Sequence, residues 1–591
     1  MKTLFLIAII LFVPMSSVVI ESARGDNVDA KIDVRRILPA STAIYVEAKS
    51  VAFILEHPFT ATVKASNAYK KIMRSPDVLK LLAGLAIFEF AIGDKAEAVA
   101  TSLTANGLHF AVDRGTEGAV LLADTESSEW LEDYLQKLVK LARTDANSKN
   151  QPDPIQEADY RGFHAYEFQK AIIGSIGSTL IITNKKELGK SIIDRHLDST
   201  NDSLLSNALF LKAWSPQAGS KQKDAPEPIV SAFVDIDALR QAGVAKDLLM
   251  GKAKDFAGEL LLGGVLASMQ KTNFAVGELF LTANQLSVQF RVPHKTEWTE
   301  EKQTFFVGPE GNGYATSLVD DSRMMSSLIA YRNLAEMWLR AGDLFDEKVN
   351  DQLAQADNTL TTLFSGKDFG TDILGAVEPQ LQIVAVEQSF EKSSEPAIRL
   401  PSFGLVAKLK DASMRKELKR TFQSFIGFLN VAGAMQGNPQ LDLDSETIDG
   451  KQIYSATYLK DRDKKYENGL PIQFNFSPTL AFEGDLVYLS STNALAKQLK
   501  LRPAEAKESN EQSRNNTLLA IDFGALKQAL TANRNQLTAQ NMLDKGHSRS
   551  EAEKEIDTLI SLLSLLKTGN AALRFGDQVK FMLDLEIQSN Q

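Results

Sequence analysis

Residues 230–243, VSAFVDIDALRQAG, return at 518–530 as LLAIDFGALKQAL. Asp235, Ala238, Leu239 and Gln241 align with Asp522, Ala525, Leu526 and Gln528. In each copy an apolar strand ends in an acid, turns, and enters a helix. A chain that repeats such a unit is constrained to fold as two similar halves, and the flanking stretches repeat too.

Residues 108–112 and 119–123 read as strands, with counterparts at 381–386 and 404–409. A helix is expected over 129–143 after the polar turn at Asp124, and Asp411 stands at the equivalent turn. There Leu131, Leu135, Leu138 and Leu141 fall on Leu418, Phe422, Phe425 and Phe428, so both helices are expected to bury the same face. Tyr160-Arg161-Gly162 matches Ile448-Asp449-Gly450 as a turn between strands. Residues 177–188 match 484–495, with Thr183-Asn184 and Thr492-Asn493 placed to open a helix. Each copy closes with a long apolar helix running into Lys271-Thr272 or Lys567-Thr568, then two strands. The last helix carries Ser550 and Glu553 as a capping box.

Ahead of these matches, 26–36 is polar and expected to be loose, 43–48 (AIYVEA) alternates as a strand, and 79–87 (LKLLAGLAI) has helical spacing. Residues 320–370 read as helical and polar, without a clear partner beyond 66–87. Strands joined by tight turns imply antiparallel sheet, so the expected class is α+β. The expected order is a first repeat over 26–294, a linker over 295–319 and a second repeat over 320–591, each a mainly antiparallel sheet with helices on one face.

At 591 residues the chain exceeds one ordinary core, and its hydrophobic (44%) and charged (24%) fractions suit globular units. A net charge of −10 argues against broad binding to nucleic acid or anionic membrane, though it leaves room for a local basic patch. Residues 1–25 read as a signal peptide: Lys2, the apolar run 4–13, the break at Pro14, and Ala23-Arg24-Gly25 before the cut. Export to the periplasm or exterior follows; the alternative is an uncleaved anchor, because 4–20 approaches spanning length. No later stretch is expected to span a membrane, the 260–266 cluster reading as a buried helix. The chain has no cysteine, which removes disulfides, thiol catalysis and cysteine metal sites.

Catalytic patterns are missing. The six histidines, His57, His109, His164, His196, His294 and His547, include no i, i+4 pair and no His-Glu-x-x-His. Residues 174–178 are not a nucleophile elbow. Ser268–Lys271 with Lys567-Thr568-Gly569 imitates serine-enzyme motifs, but both lysines are expected at helix C-termini, where a cation suits the dipole. Gly308, Gly311 and Gly313 lack a phosphate-loop ending, and Asp320-Asp321, Asp442 and Asp444 lack a calcium-loop pattern. Asp235 and Asp522 read as helix caps in preference to a carboxylate pair in a cleft. The apolar run 422–429 reads as core. No catalytic, cofactor-binding or metal residue is assigned, and no cofactor is expected.

The signal peptide, Leu-Pro-Ala-Ser-Thr-x-x-Tyr-Val-Glu at 38–47, and the Thr-Asn-x-x-x-Leu strand ends resemble the large exported proteins of unknown function found in planctomycete-type bacteria. That resemblance spans most of the chain and implies a fold, not a site. The expected function is a non-catalytic binding or scaffold protein of the cell envelope or periplasm, its partner an envelope protein or a hydrophobic small molecule, not nucleic acid. The alternative is a carrier holding a lipid or other hydrophobic ligand between helix and sheet. A hydrolase, the less favoured alternative, needs a serine or carboxylate pair of perturbed pKa in a cleft, ideally present in one copy only.

Overall fold

The computed structural model describes residues 32–588, except 75, 215–225, 245, 247–250, 321–323, 365, 392–394, 461–468 and 502–513. The expected signal peptide and Asp321 lie outside the described residues. The chain divides into two compact units: residues 1–244, 272–291 and 587–591 form unit 1, and residues 245–271 and 292–586 form unit 2.

Unit 1 carries β1 (Thr42–Ala48), β2 (Gly107–Asp113), β3 (Gly118–Asp124), β4 (Ile155–Tyr160), β5 (Phe163–Phe168), β6 (Ala171–Ile176), β7 (Thr179–Thr183), β8 (Val230–Asp235), β9 (Phe274–Leu281) and β10 (Gln285–Pro293). They pair in the order β10-β9-β8-β1-β2-β3-β7-β6-β5-β4, antiparallel throughout.

Unit 2 carries β11 (Ser326–Tyr331), β12 (Val377–Val386), β13 (Ser402–Leu409), β14 (Leu441–Ile448), β15 (Lys451–Tyr458), β16 (Thr479–Glu483), β17 (Leu486–Ser490), β18 (Asn515–Asp522), β19 (Leu566–Arg574) and β20 (Gln578–Ile587). Their order is β20-β19-β18-β11-β12-β13-β17-β16-β15-β14, the same order as in unit 1. The β4–β5 and β14–β15 turns also agree. Arg161 and Gly162 (φ 50° and 88°) and Asp449 and Gly450 (φ 50° and 85°) place two consecutive residues at positive φ, as a two-residue hairpin turn of this twist requires.

The α+β class is as expected, and helices serve both faces of each sheet. In unit 1, Tyr45, Ala111, Leu122 and Phe233 pack under α2 (Lys186–Asp198) with its Leu188 and Ile192. On the other face, α1 (Ser128–Ser148) buries Leu131 and Leu135 against Ala123 and Leu180. Leu122 and Ala123 are neighbours in β3, so the pleat sends them to opposite layers. In unit 2, Val384, Val406, Ala481 and Tyr488 pack against Leu495 and Ala496 of the helix Asn493–Gln498.

Several elements differ from expectation. Residues 326–331 form β11, the counterpart of β1, where a polar helix was expected; Ser327 and Ala330 are buried, which a solvated helix does not need. Within 26–36, expected to be loose, a helical turn begins at Val34 and runs to Ile37, with both end residues buried. The capping box uses Ser548 and Glu551, not Ser550 and Glu553. Lys567 and Thr568 lie in β19, so only Lys271 ends a helix. That helix, α3 (Phe256–Lys271), belongs to unit 2 and turns Leu261 and Leu262 outward while burying Gly263 and Gly264. Within 295–319, Phe305, Phe306 and Val307 are buried in a short helix, so this stretch is packed core and not a loose tether.

Candidate functional site

In unit 2 the sheet face opposite Tyr488 is roofed by α5 (Met414–Met435) and by the C-terminal end of α4 (Glu347–Leu363). Register places Leu381 beside Ala407, Ala407 beside Val487, and Leu405 and Leu480 beside Leu489, so these side chains share one face. Above them stand Leu418, Phe422 and Phe425 from α5 and Leu360 and Leu363 from α4, and Phe369 and Ile373 close the end. The result is an apolar cavity of about 400 Å³, with Thr421, Arg332, Glu378 and Gln380 as its few polar neighbours.

Its end wall is fixed in place. Trp338 donates a hydrogen bond from Nε1 to Asp357 Oδ1 at 2.8 Å and meets the Phe369 ring edge to face at 4.9 Å. Gly370 lets the chain pass close by, since a Cβ there would stand 3.0 Å from Trp338 Cδ1. The sequence pattern on α5 pointed here and was read as core. Phe422 is buried as expected, but Phe425 is half-exposed at the cavity and Phe428 faces outward.

Arg332 borders this cavity and is fully buried. Its guanidinium donates to the carbonyls of Leu260, Leu261 and Tyr331, to Asn516 Oδ1 and to Thr517 Oγ1, and lies 3.5 Å from the Phe306 ring centre. Every partner is a neutral oxygen or a ring, and burial lowers its pKa to about 9.

Unit 1 has a different pocket on its other sheet face, about 470 Å³ and of mixed polarity, bordered by Glu47, His109, Asp124 and Ser231 as well as by Val34 and Ile229. His109 lies between Tyr45 and Asp124: the Tyr45 hydroxyl is 3.0 Å from Nδ1, and Asp124 Oδ2 is 3.4 Å from Nε2. Tyr45 also donates to Glu47 at 3.0 Å, and Thr179 donates to Asp124 at 2.9 Å. Burial and the Glu47 carboxylate push the Tyr45 phenol well above its usual range. Both ring nitrogens of His109 thus face these two neighbours.

Register identifies the counterparts. Asp235 matches Asp522, which pairs Ser231 with Leu518; the rows then run Ser231–Glu47–His109–Leu122–Ile181 in unit 1 and Leu518–Ile329–Gln382–Val406–Tyr488 in unit 2. Where unit 1 has a polar row beside a pocket, unit 2 is apolar except for Gln382. That side chain is buried, accepts from the Leu318 and Val319 amides and donates to Ser327.

The residues singled out in the sequence fall as follows. Asp235 and Asp522 are helix caps, accepting from the Ala238 and Ala525 amides at 2.8 and 2.9 Å. Thr492 caps its helix through the Leu495 amide, whereas Thr183 and Asn184 bond Ala119 across the sheet. Ser268 is buried, donates to the Gly264 carbonyl at 2.9 Å and lies 3.1 Å from His294 Nδ1, a pairing that sequence spacing did not reveal. Burial lowers the His294 pKa. Asp442 and Asp444 lie in β14. Among the described residues no group of three or more metal-ligating side chains gathers, and no helix is long and apolar enough to cross a membrane.

No family model matches the chain, and no curated protein matches it. Among solved structures it is similar to "Structure of crystal form I of TP0453", at 10% identity and TM-score 0.25, over 49% of this chain and 88% of that one. "Structure of crystal form III of TP0453" gives 10% identity and TM-score 0.22, over 45% and 81%. Likeness at this level establishes neither fold nor function.

Proposed function

We propose that this protein is an exported, non-catalytic carrier that holds an apolar small molecule, such as a lipid chain, in the α5-roofed cavity of unit 2. The observation that carries the reading is that cavity itself. Its volume is within the range of ligand pockets, its walls are Leu, Val and Phe, and it offers water few hydrogen-bonding partners. Each methylene moved there from water contributes roughly 0.8 kcal/mol, so an acyl chain is the occupant that gains most. The common strand order of the units supports a duplication in which one copy took on the ligand. Export rests on the reading of residues 1–25.

Native mass spectrometry of protein purified without detergent tests this. The expected result is a discrete added mass removed by organic extraction. Ala407→Phe, which fills the cavity, and Leu489→Lys, which charges its exposed edge without disturbing buried core, should both lose it. A clean apo mass together with no uptake of added hexadecanol overturns the carrier reading.

A further inference from the structure

The helix Pro76–Ile92 in unit 1 has the sequence PDVLKLLAGLAIFEFAI. Its C-terminal end is anchored: Phe88 and Ile92 pack with Val99 and with Tyr134 of α1. The opposite side is bare. Leu79, Ile87 and Phe90 recur at helical spacing on one stripe with Ala83 and Ala86, and Ile87 is 71% and Phe90 91% exposed. An isolated apolar side chain on a surface is ordinary; a whole helix stripe of them marks a docking face.

The charge around the stripe indicates what docks. Lys70, Lys71 and Arg74 are exposed on the preceding helical segment, and Lys80 lies beside the stripe. None has a carboxylate partner among the described residues, while Glu89 is occupied by Lys95 and the Ala96 amide. A chain with net charge −10 thus gathers cations at the margin of an exposed apolar helix face. A second copy placed face to face would set these cations against one another, which disfavours self-association. At 17 residues the helix is about 25 Å long and too short to cross a bilayer upright. A helix with an apolar stripe and basic margins instead lies in the plane of a lipid surface, apolar side among the acyl chains and cations at the headgroups.

We infer that Pro76–Ile92, with Lys70, Lys71, Arg74 and Lys80 at its margin, docks the protein flat onto an anionic lipid surface. This goes beyond ligand carriage by unit 2 and does not depend on it.

Flotation of the full chain with phosphatidylcholine vesicles, with and without one-third phosphatidylglycerol, is the test. Wild type should bind the anionic vesicles, more weakly in high salt. Ile87→Glu with Phe90→Glu should weaken binding by roughly tenfold or more with an unchanged melting temperature, since both side chains are already in water. Lys70→Ser with Lys71→Ser should reduce only the anionic component and keeps the test valid should the first variant misfold. Equal vesicle binding by wild type and both variants overturns the inference. So does a wild-type dimer that the Ile87/Phe90 variant converts to monomer without change in vesicle binding. Native mass spectrometry without vesicles reads the unit 2 cavity separately, so the two readings fail independently.

Discussion

Beneath the long helix of unit 1, Ala123, Leu131, Leu135 and Leu180 close into solid core, whereas the corresponding face of unit 2 encloses a cavity. Ile182 in β7 and Leu489 in β17 hold the same place by register, one step from Ile181 and Tyr488. Ile182 packs under α1, but Leu489 is 52% exposed. On the opposite face the relation reverses: unit 1 has the pocket around His109, while unit 2 fills that place with Gln382 and the 318–319 segment. One strand order therefore supports openings on either face. What decides the matter is the covering layer, because a sheet presents both faces equally and a helix of different side chains completes or leaves each one.

The contrast predicts unequal costs at matched positions. Leu131→Ala should destabilise by about 3–5 kcal/mol, since the fully buried site cannot collapse, and Leu418→Ala at the cavity by about 1–2 kcal/mol. Urea unfolding followed by circular dichroism reads both; equal losses break the comparison. Unit 2 also holds a buried carboxyl, Glu259, on α3. Burial pushes Glu259 up to about 7, so between the ordinary carboxylate range and that value the unfolded chain releases a proton that the folded one keeps. Stability therefore falls as pH rises through that window. Glu259→Gln should remove this loss and gain about 1–3 kcal/mol at pH 8, with little gain at pH 4. A pH-independent effect would show that the carboxyl is solvated.

The smallest effects should be the symmetrical ones. Asp235→Ala and Asp522→Ala should each cost about 1 kcal/mol, because each removes one capping bond to an amide. Equal thermal shifts sharpen the comparison. If only one of the two abolishes ligand uptake, that carboxylate does more than cap.

The units' shared frame was legible because its signals are local. The Arg161-Gly162 and Asp449-Gly450 turns, the two aspartate caps and the alternating strands each write their conformation into a few adjacent residues. β11 was missed because SSLIAY is short and its buried Ser327 meets a partner distant in sequence, Gln382. The cavity was missed for a related reason: Leu418, Phe422, Phe425 and Phe428 keep helical phase in either case, and whether a phenylalanine meets a neighbour depends on α4 and β17, far away in sequence. Of the exposed stripe, 79–87 read simply as helix and Phe90 lay beyond that reading. Periodicity names a face and says nothing of what lies against it.

Arg332 also sets an order of events. Its guanidinium is satisfied by carbonyls near residue 260 and by side chains at 516 and 517, and β11 itself needs β18 as a neighbour. During synthesis, therefore, nearly two hundred residues must follow Arg332 before its cation can be housed, whereas β1, β2, β3 and β8 of unit 1 are all made by Asp235. The prediction is a vectorial asymmetry. Ribosome-bound chains arrested near residue 450 should resist protease over β1–β3 while the region around β11 is cut, and equal protection of both regions would refute a late-assembling second half.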